Sequence, residues 1–318
     1  MSLTAVGSIA FDSVRTPFGE RDRMLGGSTV HFSLAARFFT EVRVVGPVGD
    51  DFGDAELKVL EDRGVITDDI ERVEGGETFF WRAHYEYDMN VAHTDDTQLN
   101  VFADFDPKLS EAARQADILF LGNINPELQR RVRASCQAKF AALDSMNFWL
   151  ESAREPLTAA IAEVDCLMLN DAEIRELTGE PNLARAARAA MEIGPGVVVA
   201  KRGEYGAALF SGDDFFAIPG YLLEDVRDPT GAGDCFAGGF LGYLDSRRAA
   251  GDSVLDWPVL RQAMAYGSVL ASFNVEDFGT ERIQALSRDE IEERLRAFRE
   301  ITNFEIHPTP ASAPDAAG

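Results

Sequence analysis

The chain is poor in lysine. Of its 318 residues 30 are basic, yet only Lys58, Lys108, Lys139 and Lys201 are lysines, against 54 acids. The resulting net charge of -24 argues against a nucleic-acid partner, because a phosphate backbone needs a basic surface. It also disfavours free nucleotide polyanions, so a nucleotide would arrive as its magnesium complex. A surface of this kind suits high salt, where screening limits self-repulsion. Stability should then rise from low to molar salt, and a flat or falling curve would end that idea. No run of 18 apolar residues and no basic-then-apolar start is present, which excludes a membrane partner and predicts a soluble, cytoplasmic protein. Cys136, Cys166 and Cys235 lack C-x-x-C spacing and read as reduced, mostly buried thiols. Two phosphate-loop signatures are missing as well. No lysine follows the glycines of DPTGAGDCFAGGF (228–240), as a Walker A loop requires, and Phe236 stands where a dinucleotide fingerprint needs its third glycine.

What is present is alternation. TAVGSIAFD (4–12) reads as a short strand ending in a polar turn, STVHFSLAARFF (28–39) as a helix, VRVVGPVG (42–49) as a strand and DAELKVLEDRG (54–64) as a helix with a glycine stop. Apolar runs at 116–122, 139–144, 166–170 and 197–203 are separated by helical stretches. Such alternation predicts right-handed crossovers and a mostly parallel sheet, with ligands beyond the carboxyl ends of its strands. Residues 76–105 break the pattern. They alternate aromatic and polar residues and predict antiparallel strands, a candidate lid. Phe79, Trp81, Tyr85 and Tyr87 there would mostly form a small hydrophobic layer, with one or two free to stack on a ligand ring. Residues 306–318 predict a flexible tail, leaving one domain over 1–305.

Candidate chemistry gathers at the predicted strand ends. Gly231, Ala232 and Gly233 precede Asp234 at a helix start, where free N–H groups and the helix dipole suit an anion. Asn170 and Glu173 of NDAE lie on one helix face. They could serve Mg²⁺ or its water shell, or simply form an N-cap with its capping glutamate. KRGEYG (201–206) fits a hairpin turn equally well. Asp12, Gly26-Gly27, Asp144 and Asn147 also follow predicted strands or precede helices.

In this order, GSIAFD, GGSTVHFSLAA, VGPVGDDFG, NDAE, KRGEYGA and DPTGAGDCFAGGF resemble the ribokinase-like (PfkB) carbohydrate kinases, from residue 4 to about 300. The resemblance implies a three-layer α/β/α domain with a small β-lid, and transfer of the γ-phosphoryl of ATP, with Mg²⁺, to a hydroxymethyl of a sugar or nucleoside. It makes Asp234 the catalytic base and the amides of Gly231, Ala232 and Gly233 the anion hole. Asn170 and Glu173 then organise magnesium, while Lys201, Gly203, Gly206 and Thr230 face the nucleotide. Asp12, Gly26 and Gly27 contact substrate hydroxyls. Asp228 and Thr230 fall in a segment that in some members also contacts a monovalent cation such as K⁺.

Phosphoryl transfer spreads charge over the equatorial oxygens, which backbone amides at a helix start stabilise without reorganising. A carboxylate there is expected to have a lowered pKa and stay ionised. His31 stands where many members have Asn, so it either accepts a different hydroxyl pattern or faces the core. AYGSVLASFNVEDFG (265–279) lacks the usual basic-glycine ending, which leaves the adenine pocket unassigned. Asp12, Asp144 and Asn147 suit an unphosphorylated sugar, with a nucleoside as the alternative acceptor. A non-catalytic sensor on the same fold is the reading from another class. The lid's exposed edge suggests a homodimer.

Overall fold

A computed structural model describes residues 2–303; the tail expected at 306–318 lies outside them. The strands are β1 (Leu3–Val6), β2 (Ala10–Thr16), β3 (Gly19–Gly26), β4 (Val42–Val48), β5 (Ile66–Arg72), β6 (Phe79–Tyr85), β7 (Ala92–Gln98), β8 (Ile118–Leu121), β9 (Phe140–Leu143), β10 (Cys166–Asn170), β11 (Val197–Lys201), β12 (Ala207–Ser211) and β13 (Asp214–Ile218). The helices are α1 (Ser28–Ala36), α2 (Asp54–Glu61), α3 (Glu111–Arg114), α4 (Pro126–Ser135), α5 (Asn147–Ser152), α6 (Arg154–Ile161), α7 (Asp171–Thr178), α8 (Leu183–Ile193), α9 (Ala232–Ala249), α10 (Trp257–Asn274), α11 (Glu281–Ala285) and α12 (Arg288–Thr302).

Nine strands form the central sheet in the order β13-β12-β11-β10-β9-β8-β1-β4-β5. Pairing is parallel from β5 to β11 and antiparallel only for β12 and β13. The strands are apolar on both faces because both are covered. Ile118, Phe120, Cys166, Met168, Val197 and Val199 face one core layer with α1, α9, α10 and α12. Their neighbours Leu119, Leu121, Leu167, Leu169, Val198 and Ala200 face the other, with α4, α6, α7 and α8. The period of two in the sequence is thus spent on two cores. Phe32 of α1 stacks on Phe120 at 4.1 Å. A Cβ on Gly238 would sit 2.3 Å from the Phe32 carbonyl oxygen, so glycine there is what lets α9 lie against α1. No helix among the described residues is long and apolar enough to cross a membrane.

The first strand departs from expectation. Residues 4–12 do not run as one strand. The chain bends at Gly7, where a side chain would meet Ser28 Oγ at 2.6 Å. Ser8 and Ser28 fasten the bend reciprocally, each backbone N–H donating to the other's hydroxyl at 3.2 and 3.0 Å. The chain then leaves the central sheet as β2. Asp12 therefore belongs to a second sheet, ordered β3-β2-β6-β7. The segment 76–105 supplies only two of its four strands.

Candidate active site

The parallel strands β8, β9, β10 and β11 end on one rim of the sheet, and they place Asn123, Asp144, Asn170 and Lys201 side by side. Lys201 Nζ donates to Asp144 Oδ2 at 2.5 Å, both side chains being largely buried. A Cβ on Gly233 would lie 3.2 Å from Lys201 Nζ, so the ammonium rests against the first turn of α9. Burial works against the charge on Lys201, but the carboxylates of Asp144, Glu173 and Asp234 outweigh it and hold the amine above its ordinary pKa. Asp144, expected to bind a polyol, instead has its carboxylate taken by Lys201. Asn147 is exposed at the first residue of α5 and stays outside the cluster.

Asn170 and Glu173 form a capping box. The Glu173 amide donates to Asn170 Oδ1 and the Asn170 amide to Glu173 Oε2, both at 2.8 Å. The N-cap reading of NDAE is therefore realised, and the metal reading is still compatible with it. Glu173 is buried, which pushes its carboxyl up to about 7; the Lys201 charge opposes this and Asp144 adds to it.

Gly231 caps α9 with φ +75°, a left-handed conformation that glycine adopts without penalty. Ala232's amide closes a turn onto the Pro229 carbonyl at 3.1 Å. It is therefore engaged inside the protein, while the Asp234 amide turns toward its own carboxylate and the amides of Gly231 and Gly233 have no backbone acceptor among the described residues. Asp234 lies in the same turn. The expectation of a lowered pKa fails: protein surrounds its carboxyl and, with the charge of Asp144, pushes it up to about 8, against the pull of Lys201. The helix dipole is worth too little to offset that desolvation. Part of the residue faces the cleft, so water there relieves some of the penalty.

The lid brings a second carboxylate. Asp12, 4% exposed, sits against Gly26, where a Cβ would come 2.0 Å from Asp12 Oδ2. Burial and the charge of Asp228 push it up to about 7, opposed by a hydrogen bond from the Gly27 amide. The three residues Asp12, Gly26 and Gly27 thus meet, and Asp12 also lies close enough to Asp234 to raise its pKa. Sequence reasoning left Tyr85 among four undifferentiated aromatics. Its hydroxyl meets Thr230 Oγ1 at 3.1 Å, joining lid to anion loop. Phe79 stacks on Phe102 at 5.3 Å instead, and Tyr87 is exposed.

Gly203 and Gly206 lie in the turn of the β11–β12 hairpin. The lid's tip reaches this turn, with Asn90 Nδ2 donating to Glu204 Oε1 at 3.0 Å. Asp228 is fully buried, and its two oxygens accept the amides of Thr230 and Gly279, each at 2.9 Å. Burial raises its pKa against those bonds. His31 is 1% exposed and packs beneath Gly231, its Nδ1 3.0 Å from Asn274 Oδ1. Asn274 is fully buried and its amide donates to the Thr230 carbonyl at 2.7 Å. Its only sequence signal was its place in the unassigned 265–279 segment.

Comparison with known proteins bears on the fold and the family. A cytidine kinase of Thermococcus kodakarensis is 28% identical over 255 residues, covering 78% of this chain and 90% of that protein. A nucleoside kinase of Burkholderia thailandensis, solved in complex with ADP-inosine, shares the fold with TM-score 0.75 at 17% identity, over 98% of this chain and 100% of that one. An E. coli structure holding ATP and Mg²⁺ also shares it, with TM-score 0.71 at 18% identity over 94% and 99% of the two chains. The model of the pfkB family carbohydrate kinases matches residues 22–285. The chain belongs to the pfkB carbohydrate kinase family, and phosphoryl transfer is the chemistry its cleft serves.

Proposed function

We propose that Asp234 is the base of an ATP-dependent kinase whose acceptor is the hydroxymethyl of a nucleoside, with an unphosphorylated sugar as the second reading. The observation that carries this is the meeting of two carboxylates from different elements, Asp12 on the lid and Asp234 on α9, near enough for the charge of Asp12 to raise the proton affinity of Asp234. An acceptor held by Asp12 would have its hydroxyl near Asp234. The carboxylate orients that hydroxyl and takes its proton as the new O–P bond forms and the bond from the γ-phosphorus to the bridging oxygen breaks, ADP leaving with that oxygen. The free amides of Gly231 and Gly233 stabilise the equatorial oxygens of the moving phosphoryl. Lys201, held charged beside Gly233, adds a fixed positive charge at the same place. The ribose-bearing acceptor is favoured by the cytidine kinase relative and by the phenol of Tyr85 at the Asp12 side. The free sugar is favoured by the acidity of that side. Its nearest ammonium, Lys201, is already paired with Asp144, which disfavours an acceptor that carries phosphate.

The donor set fits Mg²⁺ delivered with the nucleotide. No group of three acidic or imidazole side chains that would cage a metal occurs among the described residues. Mg²⁺ is usually held by one or two carboxylates, water and the phosphates themselves. Asn170 and Glu173 would hold its water shell. When bound, Mg²⁺ neutralises charge on the phosphates. Thr230, Gly203 and Gly206 line the nucleotide side in this reading. At Asp228 each oxygen receives one amide, and the Thr230 carbonyl receives that of Asn274. Each of these oxygens keeps a lone pair that a monovalent cation could take, and comparing rates in K⁺ and in choline tests for one. The exposed edge strand β7 is where two copies would pair, which light scattering tests. ADP release with a panel of nucleosides and sugars tests the main reading. Binding without turnover across the whole panel would instead make the protein a sensor.

A further inference from the structure

We propose that His31 and Asn274 form a buried positioning pair that aims the anion loop; the idea rests on the role given above to that loop. The hydrogen bonds read as a chain of forced choices. The Thr230 carbonyl can only accept, so the Asn274 atom 2.7 Å away is its amide nitrogen. That fixes the Asn274 carbonyl toward His31, 3.0 Å from Nδ1. A carbonyl cannot donate, so Nδ1 carries the proton and the imidazole is the Nδ1–H tautomer. The same carbonyl also accepts the Cys235 thiol at 3.2 Å.

The pair sits where it can govern geometry. A Cβ on Gly231 would lie 2.2 Å from His31 Nδ1, so the ring lies flat under the left-handed residue that caps α9. Thr230 is held on three sides: its amide by Asp228, its hydroxyl by Tyr85 and its carbonyl by Asn274. Neither His31 nor Asn274 need touch a reactant. They fix the peptide planes from Thr230 onward, and with them the direction of the Gly231 and Gly233 amides. Burial keeps the imidazole neutral, its pKa lowered to about 4 despite the opposing Asn274 bond. The ring therefore braces the loop without adding charge beneath it. Among the described residues His31 Nε2 is buried with no partner, and the ring's one bond there is the one to Asn274.

The test compares variants of the full-length enzyme. His31→Phe keeps the ring and loses the donor, Asn274→Leu loses both bonds, and His31→Asn restores an N–H near the Nδ1 position. We expect kcat to fall about 10- to 100-fold in the first two, as for a displacement of reacting groups by about 1 Å. The acceptor KM and the MgADP Kd should stay within about threefold, while trapping by MgADP with aluminium fluoride weakens in step with kcat. His31→Asn should recover most of the lost rate. A purely structural role would lower Tm and the active fraction but leave kcat per folded site and fluoride trapping intact; that result overturns the proposal. Should the variants not fold, ¹⁵N spectra of the wild-type histidines decide. An Nδ1–H tautomer at His31 supports the pair, and an Nε2–H tautomer ends it. Absence of ADP release from wild type with every acceptor would sink the kinase assignment instead, and the spectra would still judge the pair.

Discussion

The two sheets are built for different tasks. Strands β1, β8 and β9 of the central sheet are buried along their whole length, between two layers of helices. The lid ends in β7, exposed at every residue. It meets the body through polar contacts at the cleft, Tyr85 to Thr230 and Asn90 to Glu204. Its inner strands, by contrast, pack on the body, with Phe11 in the main core and Leu25 and Phe80 against it, so the outer edge is the part that opens at low cost. The contrast teaches a division of labour. In the proposed reading the body holds the reacting groups and the lid supplies recognition through Asp12.

That division is sharpest at Asp234. Asp234→Asn should lower kcat by about 10³-fold, within the range of positioned acid–base groups, with MgADP affinity retained in calorimetry. Near-normal turnover would remove the chemistry from the body. Next, Phe120→Ala in the body should cost about 3–5 kcal/mol in denaturant unfolding, whereas Trp81→Ala in the lid should cost less than about 1 kcal/mol. Equal costs would mean that the lid carries core. Asp12→Asn should lower kcat/KM for the acceptor by about 10- to 100-fold, mostly through KM, as for loss of a hydrogen bond to a charged group. A collapse of kcat at constant KM would instead put Asp12 with Asp234. Tyr85→Phe, which removes only the bond to Thr230, should raise the acceptor KM about three- to tenfold.

The smallest effect is one of pH. Asp12 and Glu173 titrate near 7 in the fold and near 4 when unfolded. Raised carboxylate values mean that the folded state holds its protons longer. Their stabilisation is complete below about pH 4 and is lost as pH rises to about 7, and that of Asp234, pushed up to about 8, is lost as pH rises to about 8. The ligand-free Tm should fall over that window, by an amount on the order of a few degrees, and Asp12→Asn should flatten the curve. A Tm rising through the window would contradict the burial of both groups.

Much of this was legible in the sequence because it is local. The period of two, the NDAE cap and the glycines around Asp234 each report on neighbours along the chain. The residues that escaped notice act across it. Asp12 reads as the end of one strand over 4–12 and lies instead in a second strand, because the bend at Gly7 is fastened by the bond of Ser8 to Ser28, twenty positions on. The upward pKa of Asp234 comes from burial and from Asp144 and Asp12, against Lys201, and no spacing rule connects these residues. Asp144 looked free because its partner Lys201 lies 57 residues on. Asn274 reaches Thr230 over 44 residues, and asparagine in a helix carries no signal of such a reach.

The scarcity of lysine has a practical outcome. Lys58, Lys108 and Lys139 are exposed, while the fourth amine is enclosed at the cleft. Lys139 directly precedes β9, whose far end carries Asp144, so it sits on the rim opposite the reacting groups. Amine-directed dyes or cross-linkers should attach to these outer handles first, leaving an immobilised molecule with an unobstructed mouth.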